Sequence, residues 1–404
     1  MEIRKLSAED TLQRQQIDTL VFNLRRDFTA QPVQPDEYDE ETASWWGAFE
    51  GAKLLAVIGD NHYKMRFDGH DALMSGIGGV GTLPEARRGG YVRHIFNTLL
   101  PDCYERGMIF SNLAPFSHSF YRKFGYEYCV PRRNISLGTY AFDEIRLPRE
   151  KAGTFTHILP GDDTSALAEV HNAYIKDINH CIRRDFWSDN KAWKAFTASD
   201  PYKTGMFIYL WKNAQGEPKG YIKYKDIEGD DGHDMQVDEL MWKDQEGLIG
   251  TLGLIQGLES QYKNFKWAAP AYFEPEDLFD DLWEIEQSIT CRDMTRIINV
   301  QKALELMRVP EGSGSWVLEV EDSNLPQNNG KYLVEYAGGK SSVKKTNKEA
   351  DISADITVLA QLITGFRTLD SVLLTRREGI EVAGNIDTLR KVWTLRPQQI
   401  TEFF

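Results

Sequence analysis

The sequence predicts a mixed α/β (α+β) protein that is built from more than one domain. It has 404 residues, of which 41% are hydrophobic and 12% aromatic, so apolar material for several cores is available. A single hydrophobic core stops growing at roughly 250–300 residues, and we therefore expect two or three domains. Segments with the hydrophobic pattern of a strand also alternate along the chain with segments that have the pattern of a helix. We place the divisions at residues 1–150, 151–293 and 294–404.

The first region is expected to begin with alternating strands and helices. Its elements are, in order, a short strand at residues 3–6, an amphipathic helix at 17–24, a polar acidic loop at 31–41, and strands at 54–58 and 63–67. Gly59 and Asp60 separate the last two segments. Because these residue types mark turns, two separate strands are predicted there.

The second region repeats the opening of the first, a strand followed by a turn, at residues 155–162. We expect a helix at residues 165–176, strands at 206–211 and 219–225, a turn at 230–232 and a helix at 248–262. This order resembles that of the first region without its glycine-rich motif. The self-similarity is too faint to assert a duplication.

The third region is expected to open with a hairpin and to continue with helices. Residues 316–320 and 332–336 alternate, and Asn328, Asn329 and Gly330 form a turn signal between them. Asp355 is placed to cap a helix with the apolar residues Val358, Leu359, Leu362 and Ile363 on one face. A further helix is marked by Ile386, Leu389, Val392 and Trp393.

Charge and cysteine content narrow the class of protein. The net charge of −14 disfavours nucleic acid and anionic membranes as partners and gives a small preference for cationic small molecules. The four cysteines show neither metal-ligand spacing nor a disulfide pattern, so we expect reduced core thiols. His62, His70 and His180 form no metal-ligand pattern with neighbouring acids, so no metal is expected. No apolar run suggests a signal peptide or a membrane span, and the cytoplasm is the expected compartment.

The most informative stretch is residues 74–128. A glycine-rich strand at residues 74–80 leads through a turn at 87–92 into a helix. The apolar residues of that helix, all at helical spacing, are Val92, Ile95, Phe96, Leu99, Leu100 and Cys103. Pro101 is expected to kink or shorten its last turn.

A strand, a glycine-bearing turn and a helix together can hold a diphosphate. The first turn of a helix carries unpaired N–H groups and the positive end of the helix dipole. Gly89 and Gly90 would allow close approach, and Arg87 and Arg88 add positive charge. A P-loop and a dinucleotide fingerprint are excluded, since neither pattern is present. A glycine-rich turn without a ligand is the remaining alternative.

A second block makes the function more specific. Residues 108–113 form a strand, and Phe120, Tyr121, Lys123, Phe124, Gly125 and Tyr126 follow it after a short loop. The turn at residues 87–92 resembles the coenzyme A motif of the GNAT acetyltransferases. The later block resembles the GNAT motif in which a helix ends at a Phe-Gly-Phe/Tyr turn. One departure is Val92, where the superfamily prefers Gly or Ala.

The whole chain resembles the Eis-type ("enhanced intracellular survival") acetyltransferases. In that family a GNAT domain is followed by a second GNAT-like domain without cofactor and by a domain similar to sterol carrier proteins. The family also ends in an aromatic residue whose carboxylate reaches the active site, and this sequence ends with Phe403 and Phe404. The resemblance implies a homo-oligomer, in the form of a hexamer.

The resemblance assigns roles to individual residues. Backbone groups of Val80, Gly81 and Thr82 would lie along the pantetheine and acetyl group of acetyl-CoA. The diphosphate would lie against residues of the helix start, namely Arg88, Gly89, Gly90, Tyr91, Val92 and Arg93. Phe116 and Ser117 would also touch the cofactor. Tyr121 would be the general acid and the α-carboxylate of Phe404 the base, acting on an amine-bearing small molecule such as an aminoglycoside-like polyamine.

Several alternatives remain at this stage. Trp45 and Trp46 could form an acceptor wall by cation–π contacts, although a core role is favoured for them. His118 could relay a proton, although a loop histidine without a role is favoured. The protein could instead be a lipid or small-molecule carrier with an inert GNAT domain, or an acetyltransferase for protein lysines.

Overall fold

The computed structural model describes residues 1–29, 41–145, 152–184, 200–229, 232–376 and 378–402. The chain divides into two compact units. The first unit contains residues 1–130, 292–396 and Glu402, and the second contains residues 131–291 and 397–401. The polar loop predicted at residues 31–41 lies almost wholly outside the described residues, as do Asp230 and Asp231 of the predicted turn at 230–232.

The strands alternate with helices through most of the chain. The strands are β1 (Glu2–Lys5), β2 (Ala43–Glu50), β3 (Lys53–Phe67), β4 (His70–Thr82), β5 (Phe110–Leu113), β6 (Glu127–Gly138), β7 (Gly153–His157), β8 (Met206–Asn213), β9 (Pro218–Gly229), β10 (Gly232–Trp242), β11 (Asn264–Pro270), β12 (Glu286–Ile297), β13 (Ser313–Glu321), β14 (Gly330–Ala337), β15 (Lys340–Thr346), β16 (Ile352–Asp355) and β17 (Ile380–Val382). The α-helices among the described residues are α1 (Thr11–Val21), α2 (Tyr91–Glu105), α3 (His118–Arg122), α4 (Ser165–Tyr174), α5 (Pro201–Thr204), α6 (Gln245–Gly257), α7 (Val300–Leu306), α8 (Ile356–Ile363), α9 (Leu369–Thr375) and α10 (Ile386–Val392).

In the first unit, β1 to β4 pair antiparallel in chain order, and β4 pairs parallel with β5. The end of β12 adds antiparallel to β5, with Met294 opposite Leu113. Both α1 and α2 pack on this sheet. The apolar stripe of α2 is buried as predicted, which gives the sheet and the helix a common core.

Two predictions for the first region were wrong in detail. Residues 54–58 and 63–67 belong to one strand, β3. Asp60 is fully buried within it and accepts a hydrogen bond from the Ser75 hydroxyl at 2.5 Å, so tertiary partners keep it in the sheet. Helix α1 begins at Thr11 and ends at Val21 rather than covering 17–24. Pro101 does not end helix α2, which continues to Glu105 with buried residues on both sides of the proline, and the alternative of a kink at Pro101 stays a prediction.

The C-terminal part of the first unit is a sheet with the strand order β15-β14-β13-β16-β17, to which α8 contributes an apolar face. The predicted hairpin is confirmed, since Trp316 lies opposite Val334, but its connection is eight residues long rather than a tight turn. Asp355 caps α8 as predicted by accepting from the N–H groups of Thr357 and Val358, both at 2.8 Å. In α10, Leu389 and Val392 are buried.

The second unit has the strand order β6-β11-β10-β9-β8-β7, in which only β10 and β11 are parallel among the described strands. Helices α4 and α6 pack on this sheet. The predicted helix at 248–262 is shifted, because Asp244 caps α6 and starts it at Gln245. This unit repeats the order of strands and helices found in the first region.

Candidate active site

The first sheet opens between β4 and β5. The two strands pair from Met74 to Ile77, where β5 ends at Leu113, whereas β4 continues to Thr82. Within the described residues, the last residues of β4 therefore have no strand partner on this side. Backbone N–H and C=O groups need hydrogen-bond partners. This edge, which carries Val80 and Thr82, can accept an extended ligand.

A β-bulge lies in β4 at the same point. Val57 is opposite Gly81 and Gly59 is opposite Gly78, so two residues of β4 face one residue of β3. One of them, Gly79, has a φ of +56°, and a Cβ there would lie 2.3 Å from the Trp45 ring. Glycine is thus required by both conformation and space. Bulges sharpen the local twist, and they are frequent beside active sites.

The start of α2 is an exposed, positively charged site. Gly90 is its N-cap residue with a φ of +80°, and a Cβ there would meet nothing closer than the His94 ring at 3.9 Å. The side chains of Arg87, Arg88 and Arg93 are exposed and make no ion pair with any described residue. The first N–H groups of a helix lack intrahelical partners. The helix start is consequently suited to an anion, and the residues present fit a diphosphate.

Tyr121 is nearly buried at 3% exposure in α3. Its ring makes edge contacts with the rings of Phe116, Phe120 and Tyr126, at centroid distances of 5.5, 5.1 and 6.2 Å. Burial raises the pKa of its phenol. Its hydroxyl makes no hydrogen bond within the described part of the chain, so it is available to a ligand.

The structure brings several of the predicted site residues together. Val80, Tyr91 and Val92 pack against the core cluster that contains Tyr121. Phe116 is 74% exposed although its ring touches Tyr121, which places an apolar surface beside the phenol. Gly81 instead faces α1, since a Cβ there would lie 2.8 Å from Ile17.

The remaining predicted residues have other surroundings. Thr82 pairs with Ala56 at the end of β4. Ser117 precedes α3, and its hydroxyl contacts that of Ser119 at 3.1 Å. The Nε2 atom of His118 is buried and has no hydrogen-bond partner in the described chain.

The two tryptophans differ from one another. Trp46 is 6% exposed and belongs to the core cluster, so the core interpretation holds for it. Trp45 is half-buried over Gly79, and the guanidinium of Arg14 lies 4.5 Å from its ring centroid. That face of the ring already has a cation.

The predicted base, Phe404, lies outside the described residues together with Phe403. Glu402 belongs to the first unit. Burial and, after it, the charge of Glu402 raise the pKa of Tyr63 on β3. The described end of the chain thus lies close to the sheet that carries the site.

The second unit repeats the strand separation and the bulge of the first unit, but it lacks the anion site at the helix start. The parallel pairing of β10 and β11 ends at Val237, and a bulge follows at Asp238. Here, however, Asp244 caps α6 by accepting from the Gly247 N–H at 2.9 Å, and Lys219 pairs with Asp244 at 2.8 Å. A carboxylate therefore takes the position that a phosphate would need. Sequence reasoning had noted the absent glycine motif but had missed this acidic cap.

Neither a metal-binding cluster nor a membrane-spanning helix is found in the part of the chain that the structure describes. No group of three or more histidine, cysteine or acidic side chains is arranged to hold a metal ion in these ranges. No helix in these ranges has both the length and the apolar composition needed to cross a membrane. Cys103, Cys129 and Cys181 are buried free thiols, and Cys291 is partly exposed.

Comparison with protein families gives three matches along the chain. Residues 2–129 match the acetyltransferase (GNAT) domain, residues 181–297 match another family of acetyltransferase (GNAT) domains, and residues 300–399 match the sterol carrier protein domain. No curated protein matches the sequence. The domain matches thus define an enzyme of the GNAT acetyltransferase class, with tandem GNAT domains and a C-terminal sterol carrier domain.

Solved structures share this fold over the entire chain. A probable N-acyltransferase from Enterococcus faecalis V583 is 22% identical with a TM-score of 0.83, covering 100% of this chain and 99% of its own. A GCN5-related N-acetyltransferase from Anabaena variabilis is 20% identical with a TM-score of 0.84, covering 100% of both chains. Eis1 from Mycobacterium abscessus is 18% identical with a TM-score of 0.79, again covering 100% of both. The expected Eis-like architecture is therefore confirmed at the level of the fold.

Proposed function

We propose that this enzyme transfers an acetyl group from acetyl-CoA to an amine of a cationic small molecule. The observation that carries the proposal is the meeting, within the first unit, of three features. These are the opened edge of β4, the arginine-rich start of α2, and the buried phenol of Tyr121, whose hydroxyl has no hydrogen-bond partner among the described residues. In this proposal the β4 edge holds the pantetheine, the α2 start holds the diphosphate, and Tyr121 protonates the leaving sulfur.

Acetyl-CoA is held in this proposal by β4 and α2. Backbone groups of Val80 and Thr82 hydrogen-bond the extended pantetheine where β4 lacks a strand partner. The N–H groups that follow Gly90 bind the diphosphate, and Arg88 and Arg93 supply positive charge. Charge-assisted hydrogen bonds of this kind are roughly twice as strong as neutral ones.

Tyr121 is the proposed general acid. The acceptor nitrogen attacks the thioester carbon, the carbon–sulfur bond breaks, and the sulfur leaves with the bonding electron pair. Burial keeps the pKa of Tyr121 above its ordinary value, so the phenol is protonated at neutral pH and can give its proton to the sulfur.

The α-carboxylate of Phe404 is the proposed base that takes the proton of the attacking amine. The support is the resemblance to the Eis type and the position of Glu402 beside Tyr63 in the first unit. An α-carboxyl has a pKa near 3.3–3.7 in water, so it becomes a useful base only when desolvation raises that value.

The acceptor class rests on charge and on resemblance. The net charge of −14 attracts cations, and the Eis type implies an aminoglycoside-like polyamine. The second unit has an acidic helix cap in place of an anion site, so we assign one acetyl-CoA to each chain.

A thiol-release assay tests the function directly. Purified protein is mixed with acetyl-CoA and a panel that contains aminoglycosides, linear polyamines, a lysine peptide and a neutral amine. We expect release of coenzyme A that depends on the cationic small molecules. Turnover with the peptide alone would indicate a protein acetyltransferase. Absence of acetyl-CoA binding together with lipid uptake would indicate a carrier.

A further inference from the structure

The turn that carries Tyr121 is fixed at both ends. The carbonyl of Tyr121 accepts the N–H groups of Phe124 at 2.9 Å and Tyr126 at 3.4 Å, which closes the backbone on the tyrosine. Gly125 completes the turn with a φ of +78°, and a Cβ there would collide with the guanidinium of Arg296. The position of Tyr121 therefore depends on the groups that contact this turn.

One of those contacts is centred on Glu127, the residue that begins β6. Its carboxylate is fully buried and receives hydrogen bonds from Arg122, the neighbour of Tyr121, at 2.7 to 3.0 Å. Burial alone would raise the pKa of Glu127, but Arg122, the Tyr128 N–H and the charge of Arg376 lower it overall. Glu127 is thus ionised and attached to the residue next to Tyr121.

A further partner of the Glu127 carboxylate comes from the sterol carrier domain. Arg376 donates to Glu127 at 2.7 Å and to Gln361 of α8 at 3.3 Å. Gln361 in turn donates to the carbonyl of Tyr128 at 3.1 Å. Two residues of the C-terminal domain consequently hold the two residues that follow the Tyr121 turn.

We propose that Arg376 is a positioning residue for Tyr121 and that the sterol carrier domain serves acetyl transfer by fixing the general acid. This inference rests on the proposed role of Tyr121. Among the described residues, the hydrogen bonds and ion pairs of Arg376 go to Glu127 and Gln361 and not to β4 or the α2 start, so we assign its effect to the acid and not to cofactor binding. Misplacement of a reacting group by about 1 Å can lower a rate by about 100-fold, so such a contact is sufficient to control turnover.

The test is a double-mutant cycle with Arg376→Met and Tyr121→Phe in the full chain. Methionine keeps an unbranched apolar side chain without the guanidinium, and Glu127 keeps its bonds from Arg122, so the buried carboxylate still has a cationic partner. We expect Arg376→Met to lower kcat by about 10- to 100-fold with an unchanged KM for acetyl-CoA. In the Tyr121→Phe background the same change should have less than a threefold effect, because the group it positions is gone.

Two further variants separate positioning from a general structural effect. Arg376→Lys keeps the charge beside Glu127 and should recover most of the lost turnover. Arg390→Met is the matched control, since Arg390 of α10 pairs with Asp370 at 3.0 Å on the surface of the same domain. It should leave kcat unchanged. Thermal melts of every variant identify any that is unfolded, and the lysine variant is then measured in both backgrounds.

The outcomes distinguish the two proposals. Full activity of Tyr121→Phe would overturn the assigned acid, and with it the positioning role. A strongly slowed but measurable Tyr121→Phe, combined with an Arg376→Met effect that is absent or equally large in both backgrounds, would overturn the positioning role alone.

Discussion

The start of α2 gives a prediction that separates cofactor binding from folding. Gly90 has a φ of +80°, a backbone conformation that costs a residue with a Cβ roughly 1–2 kcal/mol. Gly90→Ala should lower stability by about that amount. It creates no clash within the protein, since the nearest atom would be 3.9 Å away.

Besides lowering stability, Gly90→Ala is expected to weaken the binding of acetyl-CoA. The new methyl group lies at the helix start, where we propose that the diphosphate approaches the backbone. Losing one hydrogen bond to a charged group costs about 1.5–3 kcal/mol. At 1.4 kcal/mol for each factor of ten, the dissociation constant should rise by about 10- to 100-fold.

Gly216 provides a matched control. It also has a φ of +80°, with nothing within 4 Å of its Cβ position, but it lies in the turn between β8 and β9 of the second unit. Gly216→Ala should therefore lose the same stability without any change in affinity. Calorimetric titration with acetyl-CoA and thermal melts of both variants make the comparison. Wild-type affinity in Gly90→Ala would refute the placement of the diphosphate.

The other predictions concern the acid, the base and the assembly. Tyr121→Phe should lower kcat by about 10²- to 10⁴-fold with little change in the acetyl-CoA KM, and near-normal turnover in steady-state assays would move the acid elsewhere, with His118 next. Because burial raises the pKa of Tyr121, its ionisation should not lower kcat at any pH below about 10. A fall of kcat at a lower pH that disappears in Tyr121→Phe would contradict this. Deleting Phe404 or adding a C-terminal tag should abolish turnover with acetyl-CoA binding intact, whereas equal rates in tagged and untagged protein would exclude the carboxylate. Light scattering should show a closed oligomer, such as a hexamer, and a monomer at micromolar concentration would count against it.

Tertiary contacts decided several features that local pattern could not. Gly59 and Asp60 read as a turn, yet Asp60 is buried in β3, where Ser75 and Arg106 stabilise its carboxylate. Residues distant in sequence supply those partners, so no window around residue 60 contains the information. The bulge at Gly79 is a similar case, although the glycine-rich run of β4 was a usable signal.

The sequence by itself determined the class of enzyme, the glycine-bearing start of α2 and the tyrosine of α3. The class and the tyrosine followed from the resemblance of residues 87–92 and 120–126 to two GNAT motifs, and the helix start was predicted from helical spacing, turn residues and charge within a few dozen residues. Only the tertiary structure showed that β4 and β5 separate next to the bulge, and that an acidic cap replaces the anion site in the second unit. It also joined Glu127 to Arg376 across 249 positions of the chain. Such contacts depend on how distant segments pack, and local periodicity carries no record of that packing.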